Sequence, residues 1–324
     1  MSNPNHDLMD FNLATDAWYL TGPTASGKTS IGLELASRLN AEILSLDSMA
    51  IYRGMDIGTA KPTAEQQSRT PHHLIDIREP GEEFSVSDYV SAAERAISEI
   101  RQRGREVLFV GGTPLYLKAL LRGLFEGPPA DWDFRRSIEE EIERAGLAAL
   151  HERLRQVDPL SAAKLHPNDK RRIIRALEVY KQTGQPISHL QTQFEEGRSP
   201  EQCKVFVLGW PRATLHQRID ARVDDMFEAG FVDEVRKLLE QHSDLGRTAS
   251  QAVGYREVIE YLTGERSLEE TIESVKTRTH QFARRQETWF QPLRMPHHRT
   301  QRRSFRRGSR RSVVKPWGRI SVVG

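Results

Sequence analysis

Short apolar runs alternate with amphipathic stretches through the first part of the chain. The apolar runs predict buried strands at residues 18–20, 42–46, 74–77 and 107–110. Before the last of these, residues 87–101 carry their apolar side chains at helical spacing, which predicts a helix. Strands that alternate with helices favour an α/β fold, in which a parallel sheet is covered by helices on both faces.

The pattern changes after residue 127, where helical spacing continues without clear strands. Helical patterns follow at 134–145, 147–156, 159–165 and 169–183. The apolar run at 204–210 predicts a strand that returns to the sheet, and helices follow as far as residue 290. The predicted organisation is a disordered lead-in at 1–14, an α/β core at 15–127 plus 200–292, an inserted α-helical domain at 128–199 and a basic, disordered tail at 293–324.

The first predicted strand leads directly into a glycine-bounded loop. Residues 18–29 read W-Y-L-T-G-P-T-A-S-G-K-T and fit the P-loop pattern G-x-x-x-x-G-K-[ST]. Its glycines let the backbone wrap N–H groups around phosphate oxygens, and the next helix points its N-terminus at the same charge. The predicted phosphate-binding residues are Gly22, Pro23, Thr24, Ala25, Ser26, Gly27, Lys28 and Thr29. Lys28 would reach the terminal phosphate, and the Thr29 hydroxyl would ligate Mg²⁺, the cofactor predicted. The fold class is therefore a P-loop NTPase-like parallel sheet flanked by helices, with an inserted α-helical domain.

The residues that end the other strands leave two reactions open. A motor or switch NTPase usually carries an Asp at the end of an apolar strand, where it organises Mg²⁺ and water. Here the run at 107–110 continues into G-G-T at 111–113, and Asp76 is a weak candidate for that role. Asp47 directly follows the second strand and is placed to act as a general base beside the phosphates. Phosphoryl transfer and a reaction that releases diphosphate both remain open.

The composition limits the classes of protein to which the chain can belong. With 37% hydrophobic content, the 324 residues can bury a large core, and the apolar runs are too short to span a membrane. No secretory signal is visible at the N-terminus. Cys203 is the sole cysteine, which excludes an internal disulfide and a cysteine-rich zinc site. These features predict a soluble, cytoplasmic protein.

The net charge of +2 conceals an uneven distribution. No acidic residue follows Glu287, whereas ten Lys and Arg residues lie beyond it. Those ten leave 37 of the 47 basic residues for the rest of the chain, against all 45 acidic residues. The body is therefore acidic and the tail strongly basic. Such a tail can bind nucleic acid or remain solvated and disordered, and the sequence favours neither.

Six sequence blocks carry a further signal: G-P-T-A-S-G-K-T (22–29), D-S-M-A-I-Y-R-G-M-D-I-G-T-A-K-P (47–62), P-H-H-L-I-D-I (71–77), V-G-G-T-P-L-Y-L-K-A-L-L-R-G-L (110–124), H-P-N-D-K-R-R-I-I-R-A-L-E-V (166–179) and Q-A-V-G-Y-R-E (251–257). Together these blocks resemble the bacterial tRNA dimethylallyltransferase family. The second block is the most specific, because a generic P-loop protein has no reason to contain it. The resemblance covers residues 18–290. It implies a P-loop core with a helical insertion, and transfer of a dimethylallyl group from its diphosphate to the N6 amine of the adenosine 3′-adjacent to the tRNA anticodon (position 37).

The resemblance also implies roles for single residues. The P-loop would hold the allylic diphosphate rather than ATP, and Arg222 would contact the same diphosphate. Asp47 would accept a proton from the adenine amine, and Thr113 would lie at or near that amine. From the residues alone, Asp47 could instead cap a helix or ligate Mg²⁺, and Thr113 could cap the helix that begins at Pro114. Arg222 could likewise form a surface ion pair with Asp225.

The implied partners are tRNA, which binds through its anticodon stem-loop, and dimethylallyl diphosphate. The implied enzyme is a monomer and does not bind a membrane. The target base must leave the stacked anticodon loop to reach such a site. The implied tRNA contacts are Asp47, Ser48, Met49, Ala50, Thr113, Arg135, Arg171, Arg172, Ile173, Ile174, Arg175, Gln251, Ala252, Val253, Gly254, Tyr255 and Arg256. Without the resemblance, the helical arginines would more often be solvated charges, and Gly254 could simply form a turn before a helix.

Two further features bear on the resemblance. The chain lacks a cysteine–histidine zinc module, which resembles the bacterial rather than the eukaryotic form. The segment after Phe290 does not resemble the usual C-terminus of the family. Three other functions remain as alternatives: a P-loop small-molecule or nucleotide kinase, an enzyme that prenylates free AMP or ADP, and a non-catalytic RNA-binding protein with an inactive P-loop.

Overall fold

The computed structural model describes residues 12–123, 127–190, 203–242, 245–291 and 313–316. The chain forms two compact units. The first unit, Met1–Leu121 together with Arg198–Gly324, contains the sheet. The second unit, Arg122–Gly197, consists of helices and their connections in its described part. In sequence, the second unit therefore interrupts the first.

The sheet of the first unit is parallel except at one edge. Its strands are β1 Trp18–Thr21, β2 Ala41–Ser45, β3 His72–His73, β4 Glu106–Gly111, β5 Lys204–Gly209 and β6 Val313–Pro316. Their order across the sheet is β3-β2-β4-β1-β5-β6, and β6 alone runs antiparallel to its neighbour. Trp18 pairs with Leu108 on one side and with Lys204 on the other, so β1 is central. The predicted parallel sheet is confirmed, and its strands end at a common edge.

Most predicted helices agree with the observed bounds to within three residues. In the described residues the helices are α1 Asn12–Thr15, α2 Lys28–Leu39, α3 Ala64–Arg69, α4 Val86–Gln102, α5 Pro114–Arg122, α6 Trp132–Val157, α7 Pro159–Lys164, α8 Lys170–Thr183, α9 Ile187–Leu190, α10 Arg212–Glu228, α11 Phe231–Gln241, α12 Arg247–Ser250, α13 Tyr255–Leu262 and α14 Leu268–Phe290. No helix in these ranges is long and apolar enough to cross a membrane.

Both faces of the central strands are packed against apolar side chains. On one face, Leu20 and Leu108 form a buried cluster with Ala36 of α2. On the other face, the rings of Tyr19 and Phe109 stack with their centroids 4.8 Å apart. Successive residues of a strand point to opposite faces, so Tyr19 and Leu20 serve the two layers. A strand buried on both faces reads as a continuous apolar run, as β1 and β4 do.

Tyr89 of α4 fixes the end of β2. Its ring stacks on Tyr116 of α5 at 3.7 Å between centroids, and its hydroxyl donates to the Ser45 carbonyl oxygen at 2.9 Å. Burial raises the pKa of the Tyr89 hydroxyl well above its usual value, so this group keeps its proton and remains a donor. Because Asp47 follows Ser45 by two residues, the contact anchors the strand end that leads to the predicted base.

The third strand differs from the prediction. The sequence predicts it at 74–77, whereas β3 is His72–His73. Leu74 and Asp76 have φ angles of 62° and 55°, in the left-handed region, so the chain turns where the prediction extends it. The Asp76 N–H donates to the carbonyl oxygen of Ala50 at 3.2 Å. The apolar residues of this segment therefore pack a loop against another loop and do not lengthen the sheet.

The second unit has an apolar core of its own. Ile138 and Leu154 of α6 and Leu177 of α8 are almost completely buried in it. Gly146 has a φ of 80° and a ψ of 162°, which breaks α6 at the point where the sequence predicts two separate helices. Asp158, which is 1% exposed, caps α7 by accepting a hydrogen bond from the Ser161 N–H at 2.9 Å.

Two segments predicted to lack structure contain short regular elements. α1 begins at Asn12, inside the predicted lead-in, and β6 lies inside the predicted basic tail. β6 pairs antiparallel with β5, so that Pro316 lies opposite Phe206 at one end and Val313 lies opposite Gly209 at the other. The otherwise unpaired edge of β5 offers these hydrogen bonds to the extended segment of β6. Disorder in the lead-in and the tail stays a prediction. The rest of the lead-in and of the tail lies outside the described residues.

Candidate active site

A cavity of about 470 Å³ opens in the first unit at the carboxyl ends of the strands. The cavity is lined by residues 24–29 of the P-loop, by Asp47 after β2 and by Gly112 directly after β4. α10 contributes Arg222, and α14 contributes Gln286. The cavity therefore unites the predicted phosphate-binding loop with the predicted base, although they are distant in sequence.

The P-loop has a backbone that requires glycine. Gly22 has a φ of 144° and Gly27 a φ of 89°. A Cβ at Gly22 would lie 2.7 Å from the carbonyl oxygen of Leu208, so only glycine fits between the loop and β5. α2 then begins at Lys28, and its first residues line the cavity. The unpaired N–H groups and positive dipole end of α2 make this wall suitable for an anion.

Two side chains of the P-loop are also suited to an anion. Ser26 is 1% exposed, and its Oγ has no hydrogen-bond partner among the described residues. Lys28 Nζ donates to the carbonyl oxygens of Gly22 at 3.1 Å and Pro23 at 2.7 Å. Burial, assisted by the nearby Arg222, lowers the pKa of Lys28 to about 7. A bound anion would satisfy the Ser26 hydroxyl and stabilise the charged form of Lys28.

Side chains outside the motif hold the P-loop in place. Trp210 Nε1 donates to the Ser26 carbonyl oxygen at 2.9 Å, and Arg218 Nε donates to the Ala25 carbonyl oxygen at 2.8 Å. The Arg218 guanidinium also stacks over the Trp210 ring, 4.9 Å from its centroid. The sequence gives no indication of this role for Trp210, because it depends on a contact across 184 residues of chain.

Arg222 lies beside the same loop. Its Nη1 donates to Thr24 Oγ1 at 3.4 Å. Burial lowers the pKa of the Arg222 guanidinium, and the nearby carboxylate of Asp47 opposes that shift. A guanidinium with little hydration and a planar set of donors is well suited to phosphate oxygens. Its contact with diphosphate stays a prediction.

Asp47 is held by hydrogen bonds within the segment that follows β2. Its Oδ1 accepts a hydrogen bond from the Met49 N–H at 2.8 Å. The Ser48 N–H donates to Thr113 Oγ1 at 3.1 Å, and the Thr113 N–H donates to the Leu46 carbonyl oxygen at 3.0 Å. These bonds tie the Asp47 segment to the residue that follows β4. The Thr113 hydroxyl therefore orients this loop, and its contact with a substrate amine stays a prediction.

The cavity suits a Mg²⁺ ion whose coordination is completed by phosphate oxygens. Thr29 places a hydroxyl on its wall and Asp47 a carboxylate. No group of three or more His, Cys, Asp or Glu side chains in the described residues could hold a metal by itself. Mg²⁺ commonly takes one or two protein ligands together with substrate phosphates and waters. Thr29 is therefore a suitable ligand, and metal binding stays a prediction.

Several predicted tRNA contacts of the first unit have buried side chains. Ala252 and Tyr255 belong to an apolar cluster with Ile51, Tyr52 and Met55, the residues that follow the Asp47 segment. The side chains of Ala252 and Tyr255 therefore pack against the residues that follow Asp47. Any contact of Ala252 or Tyr255 with RNA must therefore use the backbone.

Among the neighbouring predicted contacts, Gln251 and Arg256 are more accessible, whereas Gly254 is buried. Gln251 is exposed, and Arg256 forms an ion pair with Glu260 at 2.8 Å. Gly254 has a φ of 93°, and its N–H donates to Glu257 Oε2 at 2.7 Å at the start of α13. The alternative role of Gly254, as a turn before a helix, is therefore observed.

In the second unit, two predicted tRNA-contacting arginines bind a buried carboxylate. Glu178 is fully buried. Arg135 donates to it through Nε at 2.8 Å and Nη2 at 2.9 Å, and Arg175 donates through Nη1 at 2.5 Å. Both guanidinium groups thus have a structural function in this unit. Their contact with RNA stays a prediction.

The other predicted contacts on α8 divide by helix face. Ile173 and Ile174 are buried in the core of the second unit, so their side chains do not face solvent. Arg171 and Arg172 are exposed, and Arg172 lies 3.4 Å from Asp169 in an ion pair. The resemblance implies contacts along a continuous block of residues, whereas only one face of this helix is accessible.

The fold and the cavity define a class of protein. It is a P-loop NTPase-like α/β protein in which a glycine-bounded loop faces a carboxylate across one cavity. A family model described as IPP transferase matches residues 50–293. The chain belongs to the IPP transferase family, which confirms the resemblance seen in the sequence.

Relatives and solved structures agree with this assignment. The chain is 52% identical over 285 residues to the tRNA dimethylallyltransferase of Rhodopirellula baltica, covering 86% of this chain and 85% of the relative. It is 42% identical to the full-length tRNA isopentenylpyrophosphate transferase of Bacillus halodurans, with a TM-score of 0.60 and coverage of 86% and 87%. It is 30% identical to a eukaryotic dimethylallyltransferase acting on tRNA, with a TM-score of 0.68 and coverage of 85% and 69%.

Proposed function

We propose that the protein transfers a dimethylallyl group from dimethylallyl diphosphate to the N6 amine of the adenosine at position 37 of tRNA, 3′-adjacent to the anticodon, and releases diphosphate. The observation that carries this proposal is the single cavity lined by the P-loop and Asp47. Membership of the IPP transferase family and the names of the relatives support the same reaction.

The P-loop side of the cavity serves the leaving group. The first residues of α2, together with Ser26, Lys28 and Arg222, line this side of the cavity, where the diphosphate would bind. Negative charge grows on the diphosphate as the C–O bond breaks, so these donors stabilise the transition state more than the ground state. A Mg²⁺ ion held by Thr29 would neutralise part of that charge.

The Asp47 side of the cavity serves the acceptor. The adenine amine is a poor nucleophile because its lone pair is delocalised into the ring. As the new C–N bond forms, the Asp47 carboxylate accepts the proton that the amine loses. Ser48 and Thr113 hold this carboxylate in place through the bond between the Ser48 N–H and Thr113 Oγ1. The target base reaches Asp47 only when it is flipped out of the anticodon loop.

Recognition of the tRNA draws on charge in the second unit. Arg171 and Arg172 are exposed on α8 and available for backbone phosphates. We propose that the enzyme acts as a cytoplasmic monomer.

A transfer assay without nucleotide tests the proposed function. Purified protein is incubated with Mg²⁺, tRNA and dimethylallyl diphosphate labelled in the allyl group, and the RNA is digested to locate the label. We expect label on the adenosine 3′-adjacent to the anticodon. Unlabelled RNA in this mixture would overturn the proposal. Transfer of phosphate from added ATP to a small molecule or nucleotide would favour the kinase alternative. In a second mixture that also contains AMP, label on AMP in preference to tRNA would identify the nucleotide-prenylating alternative.

A further inference from the structure

Gln286 forms hydrogen bonds to two separate walls of the cavity. This α14 residue is 4% exposed. Its Oε1 accepts a hydrogen bond from the Thr24 N–H at 2.8 Å, and its Nε2 donates to the Gly112 carbonyl oxygen at 2.7 Å. One amide group therefore joins the P-loop to the end of β4, and both of its polar atoms are used.

The two partners belong to the two halves of the proposed reaction. Thr24 lies within the P-loop, which holds the leaving group. Gly112 precedes Thr113, whose hydroxyl accepts the hydrogen bond from Ser48 beside Asp47. A short chain of hydrogen bonds thus runs from the P-loop through Gln286 to the segment that carries the base.

The approach of Gln286 depends on a glycine. A Cβ at Gly112 would lie 2.5 Å from Gln286 Nε2 and 3.0 Å from the Gly22 carbonyl oxygen. Glycine at 112 thus lets the P-loop, the end of β4 and the amide of α14 meet at one point. The Thr24 N–H is directed to Gln286 and is therefore not one of the N–H groups that receive the anion.

We propose that Gln286 is a positioning residue that sets the separation and orientation of the diphosphate-binding loop relative to Asp47. This inference rests on the proposed function, because it assigns the two walls to the donor and the acceptor of the allyl group. Group transfer demands close control of the distance between the reacting atoms, and a misplacement of about 1 Å can lower a rate roughly 100-fold. An amide suits this position because it accepts and donates at once, whereas a carboxylate only accepts.

A role in positioning makes a prediction that a role in folding does not. When the C–O bond of the donor breaks and the amine is displaced from its line of attack, water can capture the allyl carbon. An oxygen–carbon bond to water then forms, the water proton passes to solvent, and the products are dimethylallyl alcohol and diphosphate. The ratio of diphosphate released to adenosine prenylated therefore reports the alignment of the two walls, independently of how much protein is folded.

The test compares Gln286→Met, Gln286→Glu and the control Gln281→Met in the full-length protein. Methionine is close to glutamine in size and removes both hydrogen bonds, whereas glutamate retains the acceptor for Thr24. Gln281 lies on the same helix and is exposed, so its substitution makes the same chemical change away from the cavity. Single-turnover transfer is measured at saturating substrates, because the added charge of glutamate weakens diphosphate affinity.

We expect Gln286→Met to lower the transfer rate roughly 10- to 100-fold and to raise the product ratio above one. Gln286→Glu should give a smaller rate loss with a ratio that is also above one, and Gln281→Met should match the wild type. A product ratio of one in both Gln286 variants would overturn the positioning role, whatever their rates and melting temperatures. If the wild type itself leaves tRNA unlabelled, the proposed function fails, which is a different outcome from equal transfer by wild type and variants.

Discussion

The ammonium of Lys28 donates a hydrogen bond to the carbonyl oxygen of Pro23, 2.7 Å away, within its own loop. The pKa of this lysine is lowered to about 7, chiefly because it is buried and secondarily because Arg222 is near. Burial therefore disfavours the charged form of the lysine that we propose as a diphosphate ligand. A diphosphate in the cavity reverses this effect, since an opposite charge favours the protonated form.

We predict that binding of dimethylallyl diphosphate takes up a proton above neutral pH. With a pKa of about 7 in the free protein, Lys28 is mostly neutral at pH 8 and becomes charged in the complex, so uptake approaches roughly one proton. The affinity should then fall as pH rises above 7, by up to roughly tenfold per unit. Calorimetry at pH 8 in buffers of different ionisation enthalpy measures the uptake.

The control for this experiment is Lys28→Arg, because arginine remains charged across the whole range. That variant should bind without proton uptake, and its affinity should depend less on pH. A binding enthalpy that does not vary with the buffer in the wild type would contradict the prediction.

Substitution of Asp47 by asparagine should separate catalysis from binding. The change keeps the size of the side chain and the oxygen that accepts from Met49, but it removes the proposed base. We predict that Asp47→Asn lowers single-turnover transfer at least about tenfold, within the range typical of general bases, while tRNA binding persists. Rapid-quench kinetics and filter binding on the same preparation measure the two quantities. A variant with the transfer rate of the wild type would remove Asp47 from the mechanism.

The parts of the molecule that follow local rules could be predicted from the sequence. The apolar run at 18–20, the glycines of the P-loop and the cation that opens α2 are consecutive, so their geometry depends on residues close to each other. Asp47 could be placed for the same reason, since it directly follows a strand and the ends of parallel strands meet at one edge.

The parts that depend on distant contacts could not be predicted. Trp210, Glu234 and Gln286 hold loops that lie 174 or more residues away in sequence. Nothing in their own neighbourhoods indicates these partners. The strand predicted at 74–77 was wrong for a similar reason. Carbonyl oxygens of Ala50 and Ile51, in another loop, accept the hydrogen bonds that stabilise this turn.

Glu234 should be important for the segment that follows Asp47. Its carboxylate accepts hydrogen bonds from the N–H groups of Asp56, Ile57 and Gly58 at 2.9, 2.6 and 3.2 Å, and from the Tyr255 hydroxyl at 2.6 Å. Glu234→Gln turns one of the two acceptor oxygens into a donor that faces these N–H groups. We predict a loss of about 1–3 kcal/mol in the free energy of unfolding, measured by urea denaturation, together with a higher KM for tRNA.

Two further variants sharpen the Glu234 prediction. Tyr255→Phe removes a single hydrogen bond and should cost about 1 kcal/mol. Glu240→Gln makes the same chemical change at an exposed position of α11 and should leave the stability unaltered. If Glu234→Gln were as stable as Glu240→Gln, the carboxylate would not be what fixes the segment.

Glu178 provides the corresponding test in the second unit. Burial by itself would raise the pKa of this carboxyl, but hydrogen bonds from Arg135, Arg175 and the Asp131 N–H outweigh burial and lower it. A carboxyl whose pKa is lower in the folded state than in the unfolded state stabilises the fold at neutral pH, and this contribution is lost as pH falls through the lowered pKa. We predict that Glu178→Gln lowers the free energy of unfolding by about 3 kcal/mol at pH 7. This is the low end of the range for a broken buried ion pair, because both arginines are partly exposed.

The pH dependence distinguishes this effect from a simple packing defect. Urea denaturation of the wild type and Glu178→Gln at pH 7 and at pH 4 should show a stability difference that narrows at the lower pH, because glutamine has no proton to gain. Glu143→Gln, an exposed position of α6, serves as the control and should follow the wild type at both values. A difference that stays constant between the two pH values would mean that lost packing, and not the charge of Glu178, destabilises the variant.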